Sequence, residues 1–167
     1  VTTQFGDHVV LNDLSLHIPV GKTTVIIGES GSGKSVLIKT MNGLLKPTSG
    51  VCRLFGEETA KCDTAKINAL RMRTGMILQD YALIDSITVC DNIGFPLAEN
   101  TKMSEKEIRK RVEEALEPLG LSEAIDKLPS ELSGGMKKRV SFARALIHQP
   151  ELVFFDEPTT GLDPVMI

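Results

Sequence analysis

Long apolar runs are absent from this sequence. The hydrophobic stretches are short, as at Leu152–Phe155, whereas a helix that crosses a bilayer needs about 20 consecutive apolar residues. The sequence therefore predicts no membrane-spanning helix, and we expect no secretory leader. If the protein works at a membrane, a partner must hold it there.

Cysteine is scarce as well. The three cysteines are Cys52, Cys62 and Cys90, and no two of them form a C-x-x-C pair, so we expect no zinc site. An odd, scattered set of cysteines is typical of reduced thiols in a cytoplasmic protein.

An excess of basic residues is also missing. Lys and Arg number 19 against 22 Asp and Glu, which leaves a formal net charge of −3. A nucleic-acid-binding protein needs a basic surface, so we expect no nucleic-acid partner. The 167 residues, 41% of them hydrophobic and 25% charged, fit one globular domain.

Several segments have the pattern of strands. Leu14, Leu16 and Ile18 alternate with polar residues, which is the period of a half-buried strand. The β-branched run before residue 28 is typical of a buried parallel strand. The predicted strands are Val9–Ile18, Thr23–Ile27, Val51–Phe55, Met76–Leu78 and Leu152–Phe155.

Other segments have the pattern of helices. Ser104 and Glu107 form a capping box at the start of a well-marked amphipathic helix, and Asp63 can cap another. The predicted helices are Lys34–Asn42, residues 63–71, Ser104–Leu119 and Gly134–Ile147. The pattern indicates a mixed α/β core interrupted by a helical insert over about residues 80–150.

A glycine-rich loop follows the second predicted strand. Residues 28–35 read GESGSGKS and fit G-x-x-x-x-G-K-[ST] in full. The glycines let backbone N–H groups point inward, and the helix that the loop opens adds to the positive field. Lys34 can reach the β and γ phosphates, and the Ser35 hydroxyl can bind Mg²⁺. The loop predicts a nucleotide-binding site and leaves ATP and GTP open.

Two acids, Asp156 and Glu157, end the predicted strand Leu152–Phe155. The carboxyl ends of strands are where open α/β sheets bind ligands. Asp156 can hold Mg²⁺ through water, and Glu157 can orient and deprotonate an attacking water, which is worth roughly 10²–10⁴ in rate.

The stretch Leu132–Met136 reads LSGGM and opens a predicted helix. Ser133 is its N-cap, but a cap does not require the two glycines that follow. Each glycine weakens a helix by roughly 1 kcal/mol relative to alanine. A group that approaches the backbone closely would explain them.

These stretches together resemble the ATP-binding-cassette (ABC) ATPases. Residues 132–136 are similar to the LSGGQ signature of that family, with Met136 in place of the usual Gln. The resemblance covers essentially the whole chain and implies a P-loop NTPase fold of the α/β class. It implies an ABC-type nucleotide-binding domain with an antiparallel β subdomain and an inserted helical lobe. The implied single domain spans residues 1–167, with its catalytic core at about 1–79 and 151–167 and its signature lobe at about 80–150.

In ABC proteins two domains meet head to tail, and each ATP lies between one phosphate loop and the opposite signature. The resemblance therefore implies that Ser133, Gly134 and Gly135 act in trans and that a second copy of the ATPase is a partner.

The resemblance also assigns the remaining site residues. Gln79 matches the Q-loop glutamine, Gly161–Asp163 matches the D-loop, and Phe5 matches the aromatic residue that stacks on adenine. The implied catalytic residues are Glu157, Gln79 and Lys34. The implied Mg²⁺ ligands are Ser35, Gln79 and Asp156. The implied ATP-binding residues are Phe5, Gly28, Ser30, Gly31, Ser32, Gly33, Lys34, Ser35, Val36, Ser133, Gly134 and Gly135.

One family element is absent, because the chain stops at Ile167 before the switch histidine. His8, His17 and His148 are not placed to replace it. We therefore expect a chain truncated at its C-terminus that binds ATP but hydrolyses it poorly.

The segment 79–97 corresponds to the groove that receives a helix of the membrane subunit in ABC transporters. With residues 34–37 and 129–136, it resembles the ATPases of Mce-type (mammalian-cell-entry) phospholipid transport systems of bacteria. The resemblance implies a transporter ATPase for phospholipid or another hydrophobic substrate. It implies an integral membrane permease as partner and a peripheral location on the cytoplasmic side of the bacterial inner membrane.

Two alternatives stay open. Importers of amino acids, methionine included, and lipoprotein exporters have similar sequence blocks. A soluble ABC ATPase of DNA repair or translation is the other, although the chain shows no sustained heptad before the signature and only one cassette. A scaffold that binds ATP without hydrolysis is disfavoured by the pair Asp156 and Glu157, but the missing switch histidine keeps this third alternative open.

Overall fold

Short strands and amphipathic helices make up two units of the chain. The computed structural model describes residues 1–78 and 81–156. The chain divides after Arg71, and each unit is described by itself. Gln79, Asp80 and residues 157–167 lie outside the described residues.

Two antiparallel hairpins form the sheet structure of the first unit. Strand β1 (Thr3–Phe5) pairs with β2 (His8–Leu11), and β3 (Arg53–Leu54) pairs with β4 (Glu57–Glu58). Between β3 and β4 the chain turns at two residues with positive φ, of 50° and 84°, which matches the right-handed twist of a hairpin. The expected antiparallel β subdomain is confirmed.

Helices α1 (Lys34–Met41) and α2 (Thr64–Arg71) complete this unit. The cap predicted for α2 is confirmed, because Asp63 Oδ1 accepts a hydrogen bond from Lys66 N at 2.7 Å. Gly43 ends α1 with φ of 67°, and a Cβ there would lie 2.6 Å from Ile67 Cδ1. The chain therefore passes close to α2 at a point where a side chain would crowd Ile67 and strain the backbone. The buried apolar side chains of the unit are Leu11, Leu37, Ile38, Leu54 and Leu70.

Two strand predictions between β2 and α1 are wrong. The strand expected over Val9–Ile18 ends at Leu11, and Thr23–Ile27 forms no strand. Val25 and Ile27 are 74% and 91% exposed, whereas a buried strand was expected. A β-branched run favours extended backbone, but a strand also needs a hydrogen-bonded neighbour, and no described residue pairs with this run.

A parallel strand pair forms the sheet of the second unit. Strand β5 (Thr74–Ile77) lies beside β6 (Leu152–Phe155) without a register shift. Parallel strands need a crossover connection, and the chain between them holds α3 (Val89–Asn100), α4 (Glu105–Leu116) and α5 (Gly134–Leu146). In the described ranges, no helix combines the length and the apolar character that crossing a membrane requires.

The core of this unit lies among the three helices. It buries side chains from each helix and from the segment that joins α4 to α5. The members are Val89, Cys90, Ile93, Leu97, Ile108, Val112, Leu116, Leu121, Ala124, Leu132, Val140, Ala143 and Ile147. The spacing of four residues between the α4 members is the amphipathic stripe that the sequence predicts.

The ends of the helices follow from their capping residues. The predicted box of Ser104 and Glu107 is confirmed at the start of α4, and Ser133 caps α5. Sequence analysis missed α3 as a helix. Its start carries the same signal, a capping box of Thr88 and Asp91, which could have identified it.

Glycine allows the closest approaches in the second unit. A Cβ on Gly75 in β5 would overlap the Ala145 carbonyl oxygen of α5, and one on Gly94 in α3 would lie 2.6 Å from Ile108 Cγ2 of α4. Phe155 of β6 also packs against Phe142 of α5, with ring centroids 5.8 Å apart. Helix α5 therefore lies directly on the strand pair.

Gly75→Ala is expected to lower the free energy of unfolding by about 1–3 kcal/mol, because the new methyl group meets backbone that cannot move aside cheaply. Urea denaturation of the full-length protein measures the change. Gly135→Ala is the matched control, since a Cβ there meets no atom within 4 Å and alanine favours a helix. Equal stability of the two variants would contradict the close approach of α5 to β5.

Candidate functional site

The predicted phosphate loop runs into the N-terminus of α1. Gly31 and Gly33 have φ of 79° and 92°, a conformation that costs glycine little and other residues more. Within the loop, Ser32 N donates to the Glu29 carbonyl at 3.2 Å. The backbone therefore curls back on itself before the helix begins, as a loop that surrounds an anion must do.

Two glycines of the loop lie close to neighbouring atoms. A Cβ on Gly28 would lie 2.7 Å from Ser32 Oγ, and one on Gly33 would lie 2.9 Å from Val10 Cγ1 and 3.2 Å from the Val10 carbonyl oxygen. Strand β2 therefore lies against the start of α1. The motif glycines match both the curvature and the packing of the loop.

Lys34 holds the two ends of the loop together. Its Nζ donates to the carbonyl oxygens of Gly28 at 3.0 Å and Glu29 at 2.8 Å. Ser35 and Val36 follow in the first turn of α1 and are half-buried. Gly33, the N-cap, has no side chain that could cap the helix, so an anion can approach the first turn without displacing a capping group.

Phe5 lies at the end of β1, in the hairpin that packs against the phosphate loop. Phe5 is 50% exposed. A lone phenylalanine beside a turn is more often a core residue, and this one is not buried. An exposed aromatic ring is available for stacking against a planar ligand.

The predicted acid pair follows β6. Asp156 is 7% exposed, and its N–H donates to the Ile77 carbonyl at 2.9 Å. Because β5 and β6 are parallel and in register, the chain that follows each strand leaves the sheet at one edge. The predicted residues Gln79 and Glu157 come two positions after these strands and lie outside the described residues, as does the D-loop at 161–163.

The predicted signature opens α5 on the surface. Ser133 Oγ accepts a hydrogen bond from Met136 N at 3.3 Å, and Ser133, Gly134 and Gly135 are all exposed. A Cβ on Gly134 would be at ordinary contact distance, 3.8 Å, from the Tyr81 hydroxyl, and one on Gly135 would meet nothing. The packing of this chain therefore requires neither glycine. Met136 packs against the helical core.

Sequence analysis missed two polar side chains that organise the chain after β5. Arg144 of α5 donates to the Ala82 carbonyl at 2.6 Å and the Tyr81 carbonyl at 2.8 Å. The fully buried Asn92 of α3 accepts from Ile84 N at 2.8 Å and donates to the Ile84 carbonyl at 3.0 Å. The signal that the sequence offered for Arg144 was a charged residue between two apolar ones, Ala143 and Ala145.

The segment that Arg144 contacts is strained. Tyr81 and Ala82 have φ of 58° and 48°, and left-handed backbone costs a non-glycine residue about 1–2 kcal/mol. Burial lowers the pKa of the Arg144 guanidinium, but an arginine stays charged at neutral pH because its ordinary pKa lies far above 7. The charged fork therefore offsets part of the cost of the turn.

The predicted site residues fall into separate groups. The structure brings the phosphate-loop residues together in the first unit, where β1 carries Phe5. Asp156 and the signature residues belong to the second unit. No group of three His, Cys, Asp or Glu side chains that could hold a metal occurs within residues 1–78 and 81–156.

The sequence matches a known protein family over most of its length. The sequence model described as "ABC transporter" matches residues 11–160. The chain belongs to the ABC transporter ATPase family. The ABC domain fold expected from the sequence, an α/β core with an antiparallel subdomain and helices between the parallel strands, is confirmed.

The curated relatives of this ABC chain are named for the transport of different substrates. The probable ribonucleotide transport ATP-binding protein mkl of Mycobacterium leprae (strain TN) is 42% identical over 99% of this chain and 48% of its own length. Methionine import ATP-binding protein MetN 1 of Acinetobacter baylyi is 45% identical over 95% of this chain and 45% of its own length. The intermembrane phospholipid transport system ATP-binding protein MlaF of Haemophilus influenzae is 41% identical over 99% of this chain and 62% of its own length. The chain thus spans about half the length of its first relatives.

A solved structure has the same fold. The ATP-binding cassette MJ0796, a dimer in a post-hydrolysis state bound to ADP and Pi, superposes with a TM-score of 0.87 at 33% identity. The match covers 98% of this chain and 73% of that chain. MJ0796 is therefore an ABC cassette in which two copies associate.

Lys34→Ala is expected to reduce ATP affinity about 10- to 100-fold, because the variant loses charge-assisted hydrogen bonds to phosphate. Isothermal titration calorimetry on the full-length protein measures the affinity. Lys39→Ala is the matched control, since Lys39 is exposed in the same helix and its loss should leave affinity unchanged. If the two variants bind ATP equally well, Lys34 does not contact the phosphates.

Proposed function

We propose that this chain is the ATP-binding and ATP-hydrolysing part of a subunit that powers an ABC membrane transporter. The observation that carries the proposal is the phosphate loop. Gly31 and Gly33 adopt the positive φ that favours glycine, a Cβ on Gly33 would crowd Val10 of β2, and Lys34 closes the loop from α1. ATP fits this loop as substrate, with its phosphates at the backbone N–H groups.

Mg²⁺ fits the proposed ATP site, where the substrate would supply most of its ligands. Without a cluster of acidic ligands among the described residues, the ion would take most of its ligands from phosphate and water, as Mg²⁺ commonly does. Ser35, Gln79 and Asp156 are the residues that would hold it. When bound, the ion would neutralise charge on the phosphate oxygens.

Glu157 and Gln79 are the residues proposed to act on the attacking water. Glu157 orients the attacking water and takes its proton, and Gln79 contacts the same region. The parallel register of β5 and β6 supports this assignment, because the chain leaves both strands at the same edge. Phe5 is the proposed stacking partner of adenine, which its exposure supports.

A second copy of the chain completes each site in this proposal. Gly134 and Gly135 are exposed, and the packing of their own chain does not require them. A ligand phosphate held by the opposite copy explains two glycines at the start of a helix, because it must approach the backbone closely. The dimer of the related cassette MJ0796 supports the same assembly. The signature residues would then act in trans.

The proposed membrane partner is a permease that docks near residues 81–97, with the ATPase peripheral on the cytoplasmic side of the bacterial inner membrane. The proposed substrate is a phospholipid or another hydrophobic molecule. This choice rests on the likeness of the segment to Mce-type ATPases and on the relative named for intermembrane phospholipid transport. An amino-acid importer is the second candidate, since a methionine import ATPase is 45% identical.

Glu157→Gln in the full-length protein is expected to reduce ATP turnover by about 10²- to 10⁴-fold, because the water loses its general base. ATP binding should persist, and the variant should accumulate as a closed dimer. Phosphate release measures turnover, and size-exclusion chromatography with ATP detects the dimer.

Glu151→Gln is the matched control for this variant. Glu151 lies just before β6, whereas Glu157 lies just after that strand. Glu151 forms an exposed ion pair with Arg73 at 2.6 Å. Its loss should leave turnover near the wild-type value. Turnover by Glu157→Gln at the level of Glu151→Gln would remove Glu157 from the reaction.

Purification of the full-length protein from its own membranes in gentle detergent distinguishes the substrate classes. Mass spectrometry of the co-purifying molecules is expected to find a multi-pass membrane protein, a lipid-binding partner and bound phospholipid. A permease with a solute-binding protein would favour an amino-acid importer. Soluble or ribosomal partners would overturn the transport proposal and leave the ATPase proposal standing.

A further inference from the structure

The turn at Tyr81 and Ala82 is held in place from a distant part of the chain. Both residues adopt left-handed backbone, which persists in a non-glycine residue only when the surroundings impose it. Arg144, 62 and 63 positions later, donates one hydrogen bond to each of the two carbonyl oxygens. A planar guanidinium can contact two adjacent carbonyls at once.

The chain on both sides of this turn is also tied to neighbouring elements. Tyr81 N donates to the Leu78 carbonyl at 3.2 Å, directly after β5. Further on, the Asn92 amide donates to the carbonyls of Ile87 at 3.2 Å and Thr88 at 3.0 Å. The segment 81–88 thus takes its shape from side chains of α3 and α5.

Helix α5 links this turn to the signature. Arg144 lies in the last turn of α5, and Ser133, Gly134 and Gly135 lie at its start. The Tyr81 hydroxyl also reaches the signature end, within ordinary contact distance of the position that a Gly134 Cβ would take. The residues that follow β5 are therefore hydrogen-bonded to α5 near its end and lie close to its start.

We infer that Arg144 is a positioning residue for ATP hydrolysis: it fixes the Tyr81–Ala82 turn to α5, so that this turn and the signature keep one relative position. The inference rests on the proposed ATPase function. Gln79, a proposed catalytic residue, precedes the turn by two positions in the sequence. Arg144 itself touches no reacting atom and acts through the turn.

The test compares four variants of the full-length protein: Arg144→Met, Arg144→Lys, and each combined with Ala82→Gly. Arg144→Met removes both hydrogen bonds, and kcat for ATP hydrolysis should fall about 10- to 100-fold because small displacements in a site are costly. Affinity for ATP should change less than about twofold, since the phosphate loop is untouched. Arg144→Lys should fall between, because a single ammonium cannot match the planar fork.

Ala82→Gly provides the decisive comparison. Glycine adopts left-handed backbone without a steric cost, so it should restore a large part of the lost kcat in both Arg144 backgrounds. A purely structural role of Arg144 in the packing of α5 would not respond to a change in this turn. If Arg144→Met does not fold, the Arg144→Lys pair carries the same comparison.

Hydrogen exchange provides a readout that does not depend on activity. The peptide that spans residues 81–88 should exchange faster in Arg144→Met, and Ala82→Gly should slow it again. Arg109→Met is the matched control, because Arg109 also makes two guanidinium hydrogen bonds, to Asp126 at 2.8 and 3.0 Å, but on the exposed face of α4. It should change neither exchange in 81–88 nor kcat.

The outcomes separate the two proposals. Unchanged kcat in Arg144→Met, or a lowered kcat that Ala82→Gly does not raise, would overturn the positioning role. A wild-type protein that neither binds nor hydrolyses ATP would overturn the proposed function instead. Exchange in 81–88 would in that case still report whether Arg144 holds the turn, and unchanged exchange would exclude it.

Discussion

The parallel alignment of β5 with β6 is the constraint on which the second unit depends. A parallel pair cannot be closed by a tight turn, so the chain must leave the sheet and return. The crossover brings α3, α4 and α5 together around a buried core. Gly75 lets the last of these helices lie on the strands. The same alignment directs Asp156 and the chain after Ile77 to one edge, where the proposed chemistry takes place.

Irregular backbone beside the strands is stabilised in the same way at several places. Lys34 of α1 donates to two carbonyls of the phosphate loop, and Arg144 of α5 donates to two carbonyls after β5. Asn92 of α3 does the same for the next few residues. Peptide groups outside a ladder or helix take their hydrogen-bond partners from side chains or water. In each case a helix that follows the loop in sequence supplies the donor, so loop and helix form one structural piece.

Local signals allowed much of this fold to be predicted, and contacts between distant residues account for the rest. The capping box of Ser104 and the cap Ser133 place two helices correctly, because a cap acts within three residues of itself. The strand expected over Thr23–Ile27 failed because pairing depends on a neighbour that local sequence does not encode. The phosphate loop was recognisable from its spacing alone. Arg144 was not, since its role is set by carbonyls more than 60 positions away.

Met136 stands where other ABC signatures have glutamine, and its side chain packs inward on the helical core. The outward face of the signature is then formed mainly by the Ser133 side chain and by the peptide groups at the two glycines. Peptide groups are the same in every protein, so in the proposed dimer such a face would distinguish ligands by shape and by negative charge. Exchange of residue 136 among apolar side chains of similar volume would then alter the stability of the lobe while leaving this exposed face as it is.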